Sequence, residues 1–342
     1  MDVQLITAGE LDEWAKFVTH SPTATGFHAP GWRAVLSEAF AVKPLFLRAR
    51  DAGRVVGVLP LFRSSSLLFG DFISSLEDGH CGADAVVAHA LGQGALNIMA
   101  EEGCGCLIYK TNFITSAYPS VARGISTVKT VVSTSRSIDS MFASLDKKTR
   151  WGVRNACRQG YRVRAANERL LLFYRIYADN LHQLGTPVFG PSVFEAMRRH
   201  LGASFTFYAL ERGDILVGGM VCLKGAHEWT SLYAAVEDEA QRKYAGYQLY
   251  WAVIEEAAKS GVARFNLGRS IPGSGVHRFK HKWTNEDVLA THYLFGNGSK
   301  RAAKRLEMAT TRMGLARRLW TKIPGPIVSS AGRYLRRSLP FV

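Results

Sequence analysis

A chain of 342 residues is long for one core and points to two domains. Its 47% hydrophobic content is that of a globular protein, and no run of about 18 apolar residues occurs, which excludes a membrane-spanning helix. The net charge of +15 implies anionic partners: RNA, phosphorylated substrates or an acidic membrane surface.

The acidic start, MDVQLITAGELDEW, has no basic region followed by an apolar core. No signal peptide is therefore expected, and the chain is placed in the cytoplasm. Helices are predicted over 10–18 and 31–40. PLFLRARDAGRVVGVLPLF then gives strand, Asp-Ala-Gly turn, strand, a hairpin signal. LFGDFISSLEDGHCGAD is expected to be loop, with Gly70, Gly79 and Gly82. VVAHALGQGALNIMAEE is a helix candidate, followed by Gly103 and a strand, CGCLIYK. Strand alternation would put the Cys104 and Cys106 thiols on one face. No second Cys/His pair completes a four-ligand set, and the scattered, odd count of five cysteines suits free thiols.

SIDSMFASLDKKTRWGVRNACRQGYRVR lies mid-chain, and its Asp146 is a helix cap. Lys147, Arg150, Arg154 and Arg158 fall at i, i+3, i+7 and i+11, one cationic stripe with no acid between Lys147 and Arg164. Surface helices usually intersperse signs, although a solvated face is the plain alternative. A helix over 167–184, a turn-rich loop LGTPVFGPS and a short helix to His200 follow. FTFYALERGDILVGGMVCLKG repeats the earlier strand, glycine turn, strand. Val56-Gly57 corresponds to Val217-Gly218, and helix, Gly103, strand corresponds to helix, Gly261, strand, both at an offset of roughly 160 residues. Tyr247, Trp251, Ile254 and Ala258 mark one helix face, Gly261 stops the helix, and Val262–Leu267 is a strand. Gly268-Arg269-Ser270 leaves that strand, and His277–Trp283 returns as a strand-like cationic run. In the tail, eleven Lys/Arg stand against Glu307 alone, and Ala302, Leu306, Ala309, Met313, Ala316 and Trp320 form one apolar stripe. That pattern suits a membrane-surface helix, an RNA contact or packing on the body.

KKTRWGVRNACRQGYRV resembles the basic helix, arginine repeats and glycine turn of the Fem-type pattern. FNLGRSIPGSGVHRFKHKW resembles the strand, Gly-Arg-Ser loop and Phe-Lys-x-x-Trp ending of the same group, and LHQLGTPVFGPSVF looks like its connecting loop. The resemblance spans residues 1 to about 295 and is strongest over 140–295. It points to FemAB-related proteins of the GNAT acyltransferase superfamily, nearest to the FemAB-like branch associated with exopolysaccharide and exosortase (PEP-CTERM) loci. It implies a mixed α/β fold of two tandem GNAT-like domains, each a mixed sheet flanked by helices. These would be 1–143, then 144–297 with the main cleft, then a basic tail at 298–342. It also implies transfer of an acyl group to an amine. The expected donor is aminoacyl-tRNA or acyl-CoA, with no tightly bound cofactor and no DNA partner. The expected acceptor is a sugar or peptide amine of an envelope or exopolysaccharide precursor, including a lipid-linked one, at an anionic membrane surface reached through 298–342. A non-catalytic protein that binds an anionic glycan-lipid is the alternative of another class.

GNAT enzymes hold a pyrophosphate at a helix N-terminus through a glycine loop. The equivalent here is Gln241-Arg242-Lys243-Tyr244-Ala245-Gly246, where Tyr244 replaces the middle glycine and is expected to hinder a pyrophosphate, weakening the acetyl-CoA alternative. Amide formation needs a place for a developing oxyanion but no protein nucleophile. In the Fem-like pattern Lys280 is the expected chemical residue, on the return strand, stabilising charge on the ester carbonyl or leaving group. Tyr233, Glu237 and Glu228 are candidate bases. Lys147, Arg150, Arg154, Arg242, Lys243, Gly246, Arg269, Ser270 and Lys282 are the expected substrate and phosphate contacts. His277 and His281 lie four apart without an H-E-x-x-H motif, so no metal is expected.

Overall fold

The structure is a computed structural model that describes residues 1–66, 70–82, 84–111, 122–301, 303, 304 and 321. The tail stripe thus lies wholly outside the described residues. The first half contains β1 (Asp2–Leu5), α1 (Leu11–His20), α2 (Trp32–Glu38), β2 (Lys43–Asp51) and β3 (Arg54–Ser66). It continues with β4 (Gly70–Ser75), β5 (Cys81–Gly82), α3 (Ala85–Glu101), β6 (Cys106–Thr111) and β7 (Ala122–Ser133). After α4 (Ile138–Ser144) and α5 (Lys147–Arg158) come β8 (Tyr161–Ala165), α6 (Leu170–Gln183), α7 (Pro191–His200), β9 (Phe205–Arg212) and β10 (Ile215–Lys224). The chain then forms β11 (Glu228–Val236), α8 (Asp238–Arg242), α9 (Ala245–Lys259), β12 (Arg264–Ser270), α10 (Gly275–Lys280) and β13 (Asp287–Phe295).

The strands join one mixed sheet in the order β1-β2-β3-β4-β6-β13-β7-β12-β11-β10-β9-β8, with β5 against β3. The offset seen in sequence has a topological counterpart. β2-β3-β4-α3-β6 and β9-β10-β11-α9-β12 are each an antiparallel run, a crossover helix and a parallel strand. β13 comes from the far end of the chain yet sits between β6 and β7, stitching the two parts together.

Three apolar clusters form the core. One lies between α3 and the first-half strands, with Leu47, Leu91 and Ile98. One lies under α5 and α9, with Val153, Trp251 and Phe265. The third spans the halves, joining Trp14, Trp32 and Phe46 to Phe173, Phe194 and Phe207. Gly31 is where α2 meets α7. A Cβ there would lie 2.0 Å from the His200 carbonyl oxygen. Next to it Glu38 takes Arg199 Nη1 at 2.8 Å and His200 Nε2 at 2.6 Å. Gly31→Ala is therefore expected to destabilise the protein by about 3 kcal/mol, because backbone rather than a pliable side chain must give way. Thermal unfolding of the variant measures it.

Several expectations change. The segment expected to be loop carries β4 and β5, whose runs between glycines, six and two residues long, lack the alternation that signals a strand. Cys104 packs in the α3 cluster and Cys106 in the spanning cluster, because alternation starts only at Cys106, after a bend at Gly105. The cationic return is the helix α10, started by the Ser274 side chain accepting from His277 N at 3.2 Å. Lys280 accordingly sits on a helix rather than on a strand. Among the described residues no helix is long and apolar enough to cross a membrane.

Candidate active site

β11 and β12 pair in parallel only at Glu228–Thr230 and Arg264–Asn266. Beyond that they part, and a cleft of about 500 Å³ opens between their ends, α6, the start of α9 and α10. Tyr177, Leu181, Leu232, Tyr250 and Phe279 supply much of its wall. Lys280, Arg269, Tyr233 and Gly246 also line it, so four of the expected site residues meet there.

The site is built on a break in β12. Its pairing with β7 slips between Asn266 and Arg269, and Gly268 has φ +80. A Cβ on Gly268 would lie 2.8 Å from the Ser231 carbonyl oxygen, so both backbone angle and space require glycine. Asn266 secures the break: its Oδ1 accepts from Gly268 N at 2.9 Å while its Nδ2 donates to Glu228 Oε1 at 3.0 Å. The carbonyls of Gly268 and Arg269 then accept from Lys280 Nζ, at 2.8 and 2.9 Å. Lys280 is 4% exposed. Burial, and after it the charge of Arg269, pushes its ammonium down to about 7, with Asp287 opposing. Two N–H bonds are committed to the carbonyls. The remaining position on Nζ is a lone pair when Lys280 is neutral and a third N–H when it is charged.

The Arg269 guanidinium is engaged. Its Nη1 donates to His292 Nε2 at 2.8 Å and lies 3.2 Å from Glu77 Oε1. Tyr233 packs against Tyr177 and Phe194, with ring centroids 5.1 and 5.2 Å away. Glu237 is exposed in a neighbouring recess with Asp179 and Asn180 rather than in the cleft. Glu228 lies outside the cleft, beside Arg264; burial first, then the charge of Asp78, pushes its carboxyl up.

The start of α9 also faces the cleft. Tyr244 takes a left-handed backbone, φ 67, and supplies no capping side chain to the helix behind it. Its ring turns onto α5, edge-on to Trp151 at 4.9 Å, and does not line the cleft, so the expected obstruction is not seen. The equivalent helix of the first half differs. Asp84 caps α3 by accepting from Val87 N at 2.9 Å, placing a carboxylate where an anion would bind. Of the two, α9 is the helix whose terminus favours a phosphate. A pocket of about 590 Å³ lies by α3, with Asp78, Glu228 and Glu286 beside Lys129 and Arg264.

The remaining cations lie elsewhere. Lys147, Arg150 and Arg154 line an open groove of about 690 Å³ along α5 with Trp151 and Arg158. Arg150 donates to the carbonyls of Ala143 and Leu145, and Arg154 lies 5.2 Å over the Phe142 ring. Arg242 is exposed, Lys243 pairs with Glu239, and Lys282 lies 5.9 Å over Tyr247. Ser270 is buried on β12, and its hydroxyl has no hydrogen-bond partner among the described residues.

His277, His281 and Asp287 converge behind the cleft. Both Nε2 atoms reach Asp287 Oδ2, at 2.7 and 2.9 Å, and Thr130 donates to Oδ1 at 2.8 Å. Gly273 N donates to His277 Nδ1 at 3.0 Å, so the neutral ring carries its proton on Nε2. A metal on Nε2 would drive that proton to Nδ1, against the amide, whereas metal-bound histidines usually donate to an acceptor there. The geometry is that of a hydrogen-bonded brace between α10 and β13. Burial pushes the Asp287 carboxyl up, and bonds from His277, Thr130 and His281 outweigh it, so it is held low.

Residues 143–281 match the family described as acetyltransferase (GNAT) domain. No curated protein matches the chain. The fold is similar to that of FemX, at 13% identity and TM-score 0.68, over 92% of this chain and 100% of that one. It is similar to L-PGS from Bacillus licheniformis at 13% identity and TM-score 0.57, over 94% and 99% of the two chains. A tandem GNAT protein from the clavulanic acid biosynthesis pathway matches at 12% identity and TM-score 0.51, over 86% and 97%. The GNAT part of the resemblance is thus carried by sequence and the FemAB-like part by fold.

Proposed function

We propose that the chain, whose residues 143–281 match a GNAT acetyltransferase domain and whose fold is similar to that of FemX, is an acyltransferase that transfers an aminoacyl or acyl group to an amine of an envelope or exopolysaccharide precursor. What supports this most is that Lys280 and the uncapped start of α9 open into one cleft. The phosphates of the donor lie at the α9 terminus. The acceptor amine attacks the donor carbonyl, forming the C–N bond. Neutral Lys280 takes the proton released by the nitrogen. It returns that proton to the leaving oxygen or sulfur as the ester or thioester bond breaks.

For the donor, the cationic groove of α5 beside Tyr244 supports a polynucleotide carrier, hence aminoacyl-tRNA. The left-handed Tyr244 with its ring turned aside supports acyl-CoA as the second candidate, since the backbone path to α9 stays open. Mass spectrometry of purified protein challenged with charged tRNA and acyl-CoA pools separates them. Retained or deacylated tRNA supports the first donor, and retained CoA the second. Retention of neither, with tight binding of an anionic glycan-lipid, would replace the enzyme with a binding protein.

The division into units 1–143 and 144–297 belongs to the same proposal, with β13 crossing it. So does attachment of residues 298–342 to the inner face of the cytoplasmic membrane, which brings the enzyme to a lipid-linked acceptor. Deleting 298–342 is expected to lower binding to anionic vesicles at least tenfold in co-sedimentation, since each basic residue near such a surface contributes about 1 kcal/mol. Unchanged sedimentation would reject the anchor.

A further inference from the structure

We propose that Glu77, in the first half of the chain, is a positioning residue that holds Lys280 in place through Arg269. The link has three parts. Lys280 Nζ is held by the backbone carbonyls of Gly268 and Arg269. The slip in β12 leaves Leu267 and Gly268 without a partner on β7, and pairing resumes at Arg269 opposite Lys129. At this point of resumption residue 269 is held in addition by its side chain, through a hydrogen bond to His292 Nε2 at 2.8 Å and an ion pair with Glu77 Oε1 at 3.2 Å. Glu77 lies just past β4 and is 6% exposed. Burial pushes its carboxyl up, but the charges of Arg269, Lys110 and Lys129 outweigh it and hold it ionised. A buried carboxylate facing three cations sets the local charge as well as the local geometry. Among the described residues, Lys110 Nζ at 3.6 Å and His292 Nε2 at 3.8 Å also lie within ion-pair reach of its Oε1.

This assignment gives the first half a part in chemistry done in the second. The sequence match covers only 143–281, yet the residue that neutralises Arg269 lies outside it. With Glu77 neutral, the full charge of Arg269 acts on Lys280, and Lys280 should lose its proton at lower pH. Arg269, whose carbonyl accepts from Lys280, would also lose one of its two side-chain anchors. Both effects act on turnover rather than on donor binding at α9.

The role of Glu77 in turnover rests on Lys280 carrying the proton, but the first test needs no substrate. Nitrogen-15 NMR of lysine Nζ groups in the full chain, with Lys280 assigned by its absence in Lys280→Met, gives the titration midpoint. Glu77→Gln is expected to lower that midpoint by at least half a pH unit, and Glu77→Asp by less. In an Arg269→Met background, Glu77→Gln should produce no further shift. Turnover of the Glu77→Gln protein should fall at least tenfold with donor KM unchanged. An unshifted midpoint in folded Glu77→Gln would overturn the proposal, as would an equal shift with Arg269 already removed. If Glu77→Gln does not fold, Glu77→Asp decides: a midpoint equal to the wild type rejects the link. A shifted midpoint without any transfer activity would instead sink the acyltransfer mechanism and leave the positioning intact.

Discussion

Lys280→Met is expected to lower acyl transfer by about 10²–10⁴-fold while the donor still binds. The reason lies in the atoms around Nζ. The two carbonyls of the β12 break take two of its hydrogens, and Lys280 lines the cleft, which leaves one position on Nζ for the proton exchanged between nitrogen and leaving group. Methionine fills the same volume but can neither accept nor give that proton. Donor binding should persist because the α9 terminus is a separate feature of the cleft. Lys280→Arg is a sharper variant. It keeps positive charge but does not deprotonate near neutral pH, so it should remain nearly as slow as methionine. Rapid-quench measurement of product, together with donor Kd, separates the two effects.

The second large effect is on stability. Folding lowers the Lys280 ionisation from the ordinary 10.5 to about 7. Between those values the unfolded chain holds a proton that the folded protein has released. Stability must then rise with pH across that window, by about 1.4 kcal/mol per unit from this group. Below pH 7 both states are protonated, and above the unfolded value neither is, so the contribution is flat at both ends. Chemical denaturation of wild type and Lys280→Met at several pH values isolates it. The stability difference between the two should climb by roughly 4 kcal/mol from pH 7 to 10.5. Loss of the bonds to the Gly268 and Arg269 carbonyls shifts that difference by a constant amount and leaves its slope alone. A difference that does not change with pH would mean that Lys280 is charged in the folded protein throughout.

Much of this site was legible in the chain. Gly268 was expected to take the chain out of the strand, whereas it sits inside β12, at the slip beside the two carbonyls that accept from Lys280. The repeated order of hairpin, helix and strand anticipated two similar units, because each local signal depended on near neighbours. What escaped notice depends on distant ones. β13 reads as an unremarkable polar-apolar stretch, yet pairing with β6 and β7 places His292 against Arg269. Glu77 lies in a glycine-rich stretch where a carboxylate suggests exposure, and its burial follows only from the meeting of the halves. The return run HRFKHKW alternates too weakly to separate strand from helix, and the Ser274 cap decides it. Cations on α5 and at the cleft share a sign but not a surface, which their spacing along the chain does not encode.

The most direct measurement is single-turnover acyl transfer against pH, with the donor identified by the retention screen, for wild type and Lys280→Met. The wild-type rate should climb up to a midpoint near 7 and level off above it. The Lys280→Met rate should be at least 100-fold lower, with that rise missing. Transfer by Lys280→Met at the wild-type rate, or a wild-type profile flat through pH 7, would contradict Lys280 as the carrier of the proton.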